Sequence, residues 1–273
     1  MTSQSGHLET NGARIYFEVE GSGDPVVLIH AGIANLRMWD AEVAALRDAY
    51  RLIRYDTRGY GRTETDAVPF SNRKDISALL DHLDEHSAHV VGLSRGGMIA
   101  LDYAIESPQR VRSLVVAAGG VGGYESPEDA DASVFELADK LVDAKDWEGI
   151  ADWETAYWAD GPGQPTGRVD PAVRAQIHDW ILTNYRADKE EGVPQPLDPP
   201  AVGRLSELQA RLLVMIGTVD EPGTRDACRH LATSVPGARL EVFDGAAHML
   251  NLEQPDRFHA LLREFLAGTE ARS

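Results

Sequence analysis

Val90-Val91-Gly92-Leu93-Ser94-Arg95-Gly96-Gly97-Met98 sets a β-branched run before a serine that has glycine two residues to either side. Helical spacing follows at once through Ile99-Ala100-Leu101-Asp102-Tyr103-Ala104. The pattern is Gly-x-Ser-x-Gly between a strand and a helix. A strand that turns straight into a helix forces its central residue into a strained backbone conformation, and the positions two away must be small. The serine hydroxyl then projects above the sheet edge. The Arg95 N–H, at the helix N-terminus, points at whatever that hydroxyl attacks.

Reading outward, the flanking chain repeats strand and helix. Ala13–Glu20 alternates as a strand, with a shorter strand expected near Leu8. Val26-Val27-Leu28-Ile29 is continuously apolar, as a parallel strand buried on both faces must be. A helix is expected over Trp39–Leu46, a strand over Arg51–Asp56 and a helix over 72–86. Further strands are expected over Ser113–Ala118, Ala210–Ile216 and Ala238–Phe243, with helices over Thr224–Val235 and Asp256–Ala267. The fold class is α/β, a doubly wound and mostly parallel sheet of about eight strands.

Residues 122–203 break this rhythm, with helical patterns and no buried strand. Helices are expected over Pro127–Ala144, Asp146–Trp158 and Asp170–Arg186, the last with Pro171 in its first turn. The segment holds 18 acidic against 6 basic residues, a net of −12 out of −18 for the chain. Four of the five tryptophans lie in it: Trp147, Trp153, Trp158 and Trp180. It ends in the stiff connector Val193–Pro200. We read 122–203 as an inserted helical cap, and 1–121 with 204–273 as the core.

Charge and composition exclude several classes. A net charge of −18 opposes nucleic acid and anionic membranes, which call for clustered Lys and Arg. No apolar run approaches the ~18 residues of a membrane span. The N-terminus lacks the basic and apolar regions of a signal peptide. One cysteine, Cys228, allows no internal disulfide and suits a reducing cytoplasm, where it reads as a buried structural thiol. The expected partner is a small-molecule substrate, with no metal and no cofactor. The oligomeric state is left open, a homodimer among the options.

A serine hydroxyl needs a base within hydrogen-bond reach, and that base needs an orienting acid. Open α/β sheets place their sites at the carboxyl ends of strands. Ser94, Asp220 and His248 each follow a strand, in the order Ser, Asp, His. Of nine histidines, only His248 combines a strand end with Gly245-Ala246-Ala247 before it. His30 also ends a strand, and is read as ordering its own loop. Glu221 and Asp226 are alternative acids. The second oxyanion N–H is assigned to Gly32, with Ile33 its neighbour, beside that of Arg95.

These residues carry a resemblance. His30-Ala31-Gly32 with Trp39, Asp56-x-Arg58-Gly59-x-Gly61-Arg62, the Ser94 elbow, Asp220, and Gly245–His248 with Asn251–Pro255 resemble the motif set of the α/β-hydrolase superfamily, serine branch, with a cap. Ala31 stands where glycine is usual, and Thr63 where serine is common. Asp56 and Arg58 read as structural, pairing to hold the loop behind the elbow. Members that open epoxides or cleave haloalkanes use an aspartate nucleophile, and Ser94 argues against both. The resemblance implies hydrolysis of a small carboxylic ester or lactone through Ser94, Asp220 and His248. The alternatives are a carbon–carbon bond hydrolase of ring-cleavage products, a cofactor-free perhydrolase or oxygenase, and a non-catalytic binding member. Ile33, Trp39, Trp153, Trp158 and Met249 are the expected substrate contacts.

Overall fold

The computed structural model describes residues 3–128 and 132–268. Eight strands form the main sheet: β1 Ser3–Thr10, β2 Ala13–Gly21, β3 Asp24–Ile29, β4 Tyr50–Tyr55, β5 Ala88–Leu93, β6 Val111–Ala117, β7 Arg211–Gly217 and β8 Arg239–Phe243. Their spatial order is β1-β2-β4-β3-β5-β6-β7-β8, and Glu64–Thr65 adds a short pairing to β2. The β1–β2 and β2–β4 pairings are antiparallel and every pairing beyond β4 is parallel.

Strand β3 shows why the parallel strands read as unbroken apolar runs. Val27 and Ile29 join the apolar cluster on one face of the sheet, Val26 and Leu28 the cluster on the other, and all four are fully buried. Each such side chain contributes about 1.5–3 kcal/mol on burial. The first face is covered by helices α2 (Asn72–His82) and α3 (Arg95–Glu106), through Ile76, Leu79, Ile99 and Leu101. The second is covered by α1 (Asp40–Leu46) and, further along the chain, the C-terminal helix Pro255–Ala267, through Val43, Leu46, Phe258 and Leu262. Cys228 is fully buried, donates to the Gly119 carbonyl at 3.3 Å, and has its pKa pushed up to about 12 by burial.

Within 122–203 the helices are α4 (Glu136–Asp143), α5 (Trp147–Glu154) and α6 (Pro171–Ala187), with a π-helical turn at Thr155–Asp160 after α5. Helix α4 is shorter than expected. The Ser126 hydroxyl accepts from the Glu128 N–H and donates to Asp226, so it forms a local turn instead of capping a helix. Residues 129–131 of the expected helix lie outside the described residues. Helix α6 starts where its signals place it, with the Asp170 carboxylate accepting from the Ala172 N–H and Pro171 following. The connector carries one short pairing, Val193–Pro194 beside Pro69–Phe70. Leu197 and Ala201 sit in the apolar cluster of the main sheet with Ile76 and Val121. Further ties to the core run from Asn184 to the Ala34 carbonyl at 3.2 Å and from the Lys189 ammonium to the carbonyls of Gly61 and Thr63.

The loop behind the elbow differs from expectation in one respect. Asp56 and Arg58 are buried structural residues, yet they do not pair with each other. Asp56 accepts from the backbone N–H groups of Leu36 and Arg62 at 2.9 and 2.8 Å. Arg58 grips Asp75 of α2 with two bonds of 2.8 Å and donates to the Asn11 carbonyl. Each finds its own partner: backbone N–H groups for Asp56 and the Asp75 carboxylate for Arg58.

Candidate active site

Strand β5 runs into α3 with no intervening loop. Ser94 takes φ 57° and ψ −123°, a region that L residues rarely occupy and that costs on the order of 1–3 kcal/mol. The conformation is held by the Ser94 N–H donating to the Ala117 carbonyl at 2.8 Å and by Gly97 N–H returning to the Ser94 carbonyl at 2.8 Å. A Cβ at Gly92 would lie 2.1 Å from the Gly96 carbonyl oxygen, and one at Gly96 would lie 2.2 Å from that of Ile29. Both positions exclude any side chain, for the steric reason read from the sequence.

The ends of β7 and β8 bring Asp220 and His248 together. His248 Nδ1 lies 2.9 and 3.1 Å from the two Asp220 carboxylate oxygens, and both residues are buried. With that nitrogen donating its proton, Nε2 is left with a free lone pair. Asp220 Oδ1 also accepts from the Glu221 N–H at 2.7 Å, which fixes the carboxylate. The alternative acids are engaged elsewhere. Glu221 caps the helix Pro222–Ser234 by accepting from the N–H groups of Gly223 and Thr224. Asp226 accepts from Tyr124 and Ser126.

Ser94 and His248 line one cavity of about 520 Å³, to which α5 and α6 contribute Trp147, Glu154, Ile181, Asn184 and Tyr185. Among the described residues no hydrogen bond joins Ser94 to His248. Gly32 and Ile33 line the same cavity. Among the described residues the backbone N–H groups of Gly32, Ile33 and Arg95 have no protein acceptor, so all three are open to a ligand. His30 is fully buried beside them. Its Nδ1 donates to the Ala31 carbonyl and its Nε2 accepts from the Thr57 N–H at 3.0 Å, and burial lowers its pKa to about 3. A neutral His30 thus orders the loop that carries Gly32. Among the described residues no three His, Cys, Asp or Glu side chains gather as a metal would need.

The expected substrate contacts divide. Ile33 and Trp158 line the cavity, Trp158 with its ring centroid 4.6 Å from that of His248. Trp39, Trp153 and Met249 do not, and their assignment is corrected. Trp39 is fully buried in the apolar cluster beneath the sheet, tilted against Phe258. Met249 is fully buried in the same cluster: the chain turns inward straight after His248. Trp153 stacks on Tyr157 at 5.0 Å, facing Phe135, away from the cavity.

Several lining residues escaped the sequence reading. Tyr60 follows the end of β4, by the strand-end rule that found Ser94, Asp220 and His248. Ile181, Asn184, Tyr185 and Asp188 stand at i, i+3, i+4 and i+7, one stripe at the end of α6. Trp147 and Glu154, seven apart on α5, form the facing stripe. The spacing was visible. Which stripe faces the sheet depends on how the two helices pack.

Fold and site define the class: a mostly parallel α/β enzyme with a serine on a strand–helix elbow and an acid–histidine pair beyond it. The chain belongs to the α/β-hydrolase fold family, whose sequence model matches residues 24–255. It is 27% identical over 270 residues to the 2-hydroxy-6-oxononadienedioate/2-hydroxy-6-oxononatrienedioate hydrolase of Escherichia coli K12, covering 93% of this chain and 91% of that one. A hydrolase from Pseudomonas aeruginosa superposes with TM-score 0.76 at 26% identity, covering 96% of this chain and 98% of that one. Est816, described as an N-acyl homoserine lactone degrading enzyme, superposes with TM-score 0.75 at 27% identity, covering 95% and 99%. The chain is therefore an enzyme of the hydrolase class. Among the described residues no helix is long and apolar enough to cross a membrane.

Proposed function

We propose that the chain hydrolyses a small carboxylic ester or lactone through an acyl-enzyme on Ser94. The observation that carries this reading is a strained serine sharing one cavity with a buried histidine that is itself bonded to a buried aspartate. His248 Nε2 takes the Ser94 proton as Oγ attacks the carbonyl carbon. The resulting oxyanion is held by the N–H groups of Gly32 and Arg95. The imidazolium, stabilised by Asp220, returns the proton to the departing alkoxide. Water, deprotonated by the same nitrogen, then cleaves the acyl-enzyme and restores Ser94. In a lactone the leaving alkoxide remains tethered to the acyl group. Loss of one oxyanion donor in such a site costs about 10²–10³ in rate.

A carbon–carbon bond hydrolase is the second reading, favoured by the Escherichia coli relative. The substrates in that relative's name are dioates, which call for cations in the pocket. Among the described residues Glu154, Asp188 and Glu191 line the cavity against the one basic side chain of Lys189, and carbonyls hold the lysine. The charge balance supports the ester or lactone first.

Intact-mass labelling with a fluorophosphonate tests the reading. A single adduct should form on the wild type, vanish in Ser94→Ala and form far more slowly in His248→Ala. A folded wild-type protein that takes up no adduct would overturn it.

A further inference from the structure

The cavity above Ser94 carries an unmatched negative charge. Lys189 lines it, but its ammonium is turned to the Gly61 and Thr63 carbonyls. Arg95 donates to the Thr57 hydroxyl at 2.8 Å and lies 4.9 Å over the Tyr60 ring, so its charge is turned to the loop. Asp188 is exposed and lies 3.7 Å from the Lys145 ammonium. Glu154 stands apart. It sits at the end of α5, half-buried, and accepts from Tyr185 Oη at 2.8 Å through one oxygen. Among the described residues no basic side chain lies within ion-pair distance of it. Burial raises its pKa, as expected for a carboxylate without a countercharge. Glu191 adds to the field: burial is the main cause that raises the phenols of Tyr60 and Tyr185, and Glu154 and Glu191 push them further in the same direction.

Aromatic faces surround this charge. Trp147 stacks on Tyr185 with ring centroids 5.7 Å apart and planes 15° from parallel, and both line the cavity. A desolvated carboxylate beside aromatic faces suits one kind of guest. An anion would meet uncompensated repulsion, and a neutral guest would leave the carboxylate, already bonded to the Tyr185 hydroxyl, without a countercharge. A tertiary or quaternary ammonium is weakly hydrated, is attracted to aromatic faces, and supplies the missing charge.

We propose that the cavity selects esters bearing a cationic nitrogen, seated between Glu154 and the Trp147–Tyr185 stack. As a statement about turnover this rests on the serine-hydrolase reading; as a statement about binding it does not.

Calorimetric titration with a matched pair of alcohols tests it. 2-(Trimethylammonio)ethanol and 3,3-dimethylbutanol have the same shape and differ by one charge. The cation should bind the wild type about tenfold more tightly. That ratio should fall towards one in Glu154→Gln, and Trp147→Leu should weaken the cation more than the neutral alcohol. Equal or tighter binding of the neutral alcohol, binding of neither, or an unchanged ratio in Glu154→Gln would each overturn the proposal. The acetates of the two alcohols should show the same ratio in kcat/KM. The fluorophosphonate adduct reports on Ser94 independently, so failure of the binding preference and failure of the serine reading are told apart.

Discussion

Ser94 holds its unusual backbone angles because every neighbour leaves room for them. Gly96 is one of the two tightest of these neighbours, with the Ile29 carbonyl 2.2 Å from where a Cβ would stand. Backbone cannot retreat as a flexible side chain can, so Gly96→Ala must push α3 away from β3. We expect a loss of several °C in Tm and fluorophosphonate labelling slowed at least as much as turnover; a variant with normal labelling would show that the elbow tolerates the shift. In the proposed mechanism Asp220 acts at one remove from the substrate, through the tautomer of His248. Asp220→Asn keeps the shape and loses the charge, and should lower kcat by about 10⁴. An unchanged urea midpoint with kcat reduced less than tenfold would assign the orienting role to another acid. Ser94, Asp220 and His248 were legible because each is marked locally, by a strand end and small neighbours. Trp39 and Met249 were misassigned for the complementary reason: proximity in sequence to a motif says nothing about which way a side chain turns, and both turn into the core.

At the scale of elements, buried charge decides what holds the site's surroundings. Arg58 is 1% exposed and its two bonds to Asp75 tie the loop after β4 to α2. Removing one member of a buried pair strands the other, which typically costs about 3–5 kcal/mol. Asp75→Ala should lose roughly that much in urea unfolding, while the double change Arg58→Met with Asp75→Leu should recover most of it; no recovery would mean that the Asn11 contact matters more than the ion pair. Helix α3 carries the opposite case. Asp102 has a buried oxygen without a hydrogen-bond partner, and burial raises its pKa to about 6. A carboxyl whose folded pKa is raised destabilises the fold while it is charged. The cost is full above about pH 6 and disappears as pH falls towards the unfolded value near 4. Asp102→Asn should therefore be the more stable protein at pH 8, by roughly 1–2 kcal/mol after allowance for partial exposure, with the gap closing between pH 6 and 4. A gap that does not change with pH would locate the effect in packing instead. The order of strands and helices was legible because hydrophobic periodicity is local. The start of α4 was not, because Ser126 found a partner in Asp226, a hundred residues away, that no window on the sequence contains.

Across the whole molecule, 44 acidic against 26 basic residues set a net charge of −18, and 12 of those charges fall in residues 122–203. The cavity is the joint product of that acidic segment and the strand ends beneath it, so its sign follows from the chain's composition even though its lining residues could not be named in advance. The same imbalance bears on stability. Salt screens two things at once: repulsion among the excess carboxylates, and attraction within surface ion pairs such as Arg186–Glu148 and Arg239–Glu264. Surface pairs of this kind are each worth about 0–1 kcal/mol and many contribute nothing. The repulsion is summed over every excess charge and acts chiefly on the insertion. Repulsion should win, and raising NaCl from about 10 mM to about 0.3 M at pH 8 should stabilise the fold by roughly 1 kcal/mol, a Tm gain of about 2–4 °C for a chain of this size. Sodium sulfate at equal ionic strength should add to that gain, because sulfate also strengthens apolar burial. If Tm instead falls with NaCl, attraction within the surface ion pairs outweighs the repulsion among the excess carboxylates. Loosening of the insertion would then show as tryptophan fluorescence shifting to the red before the sheet unfolds, since four of the five tryptophans lie in that segment.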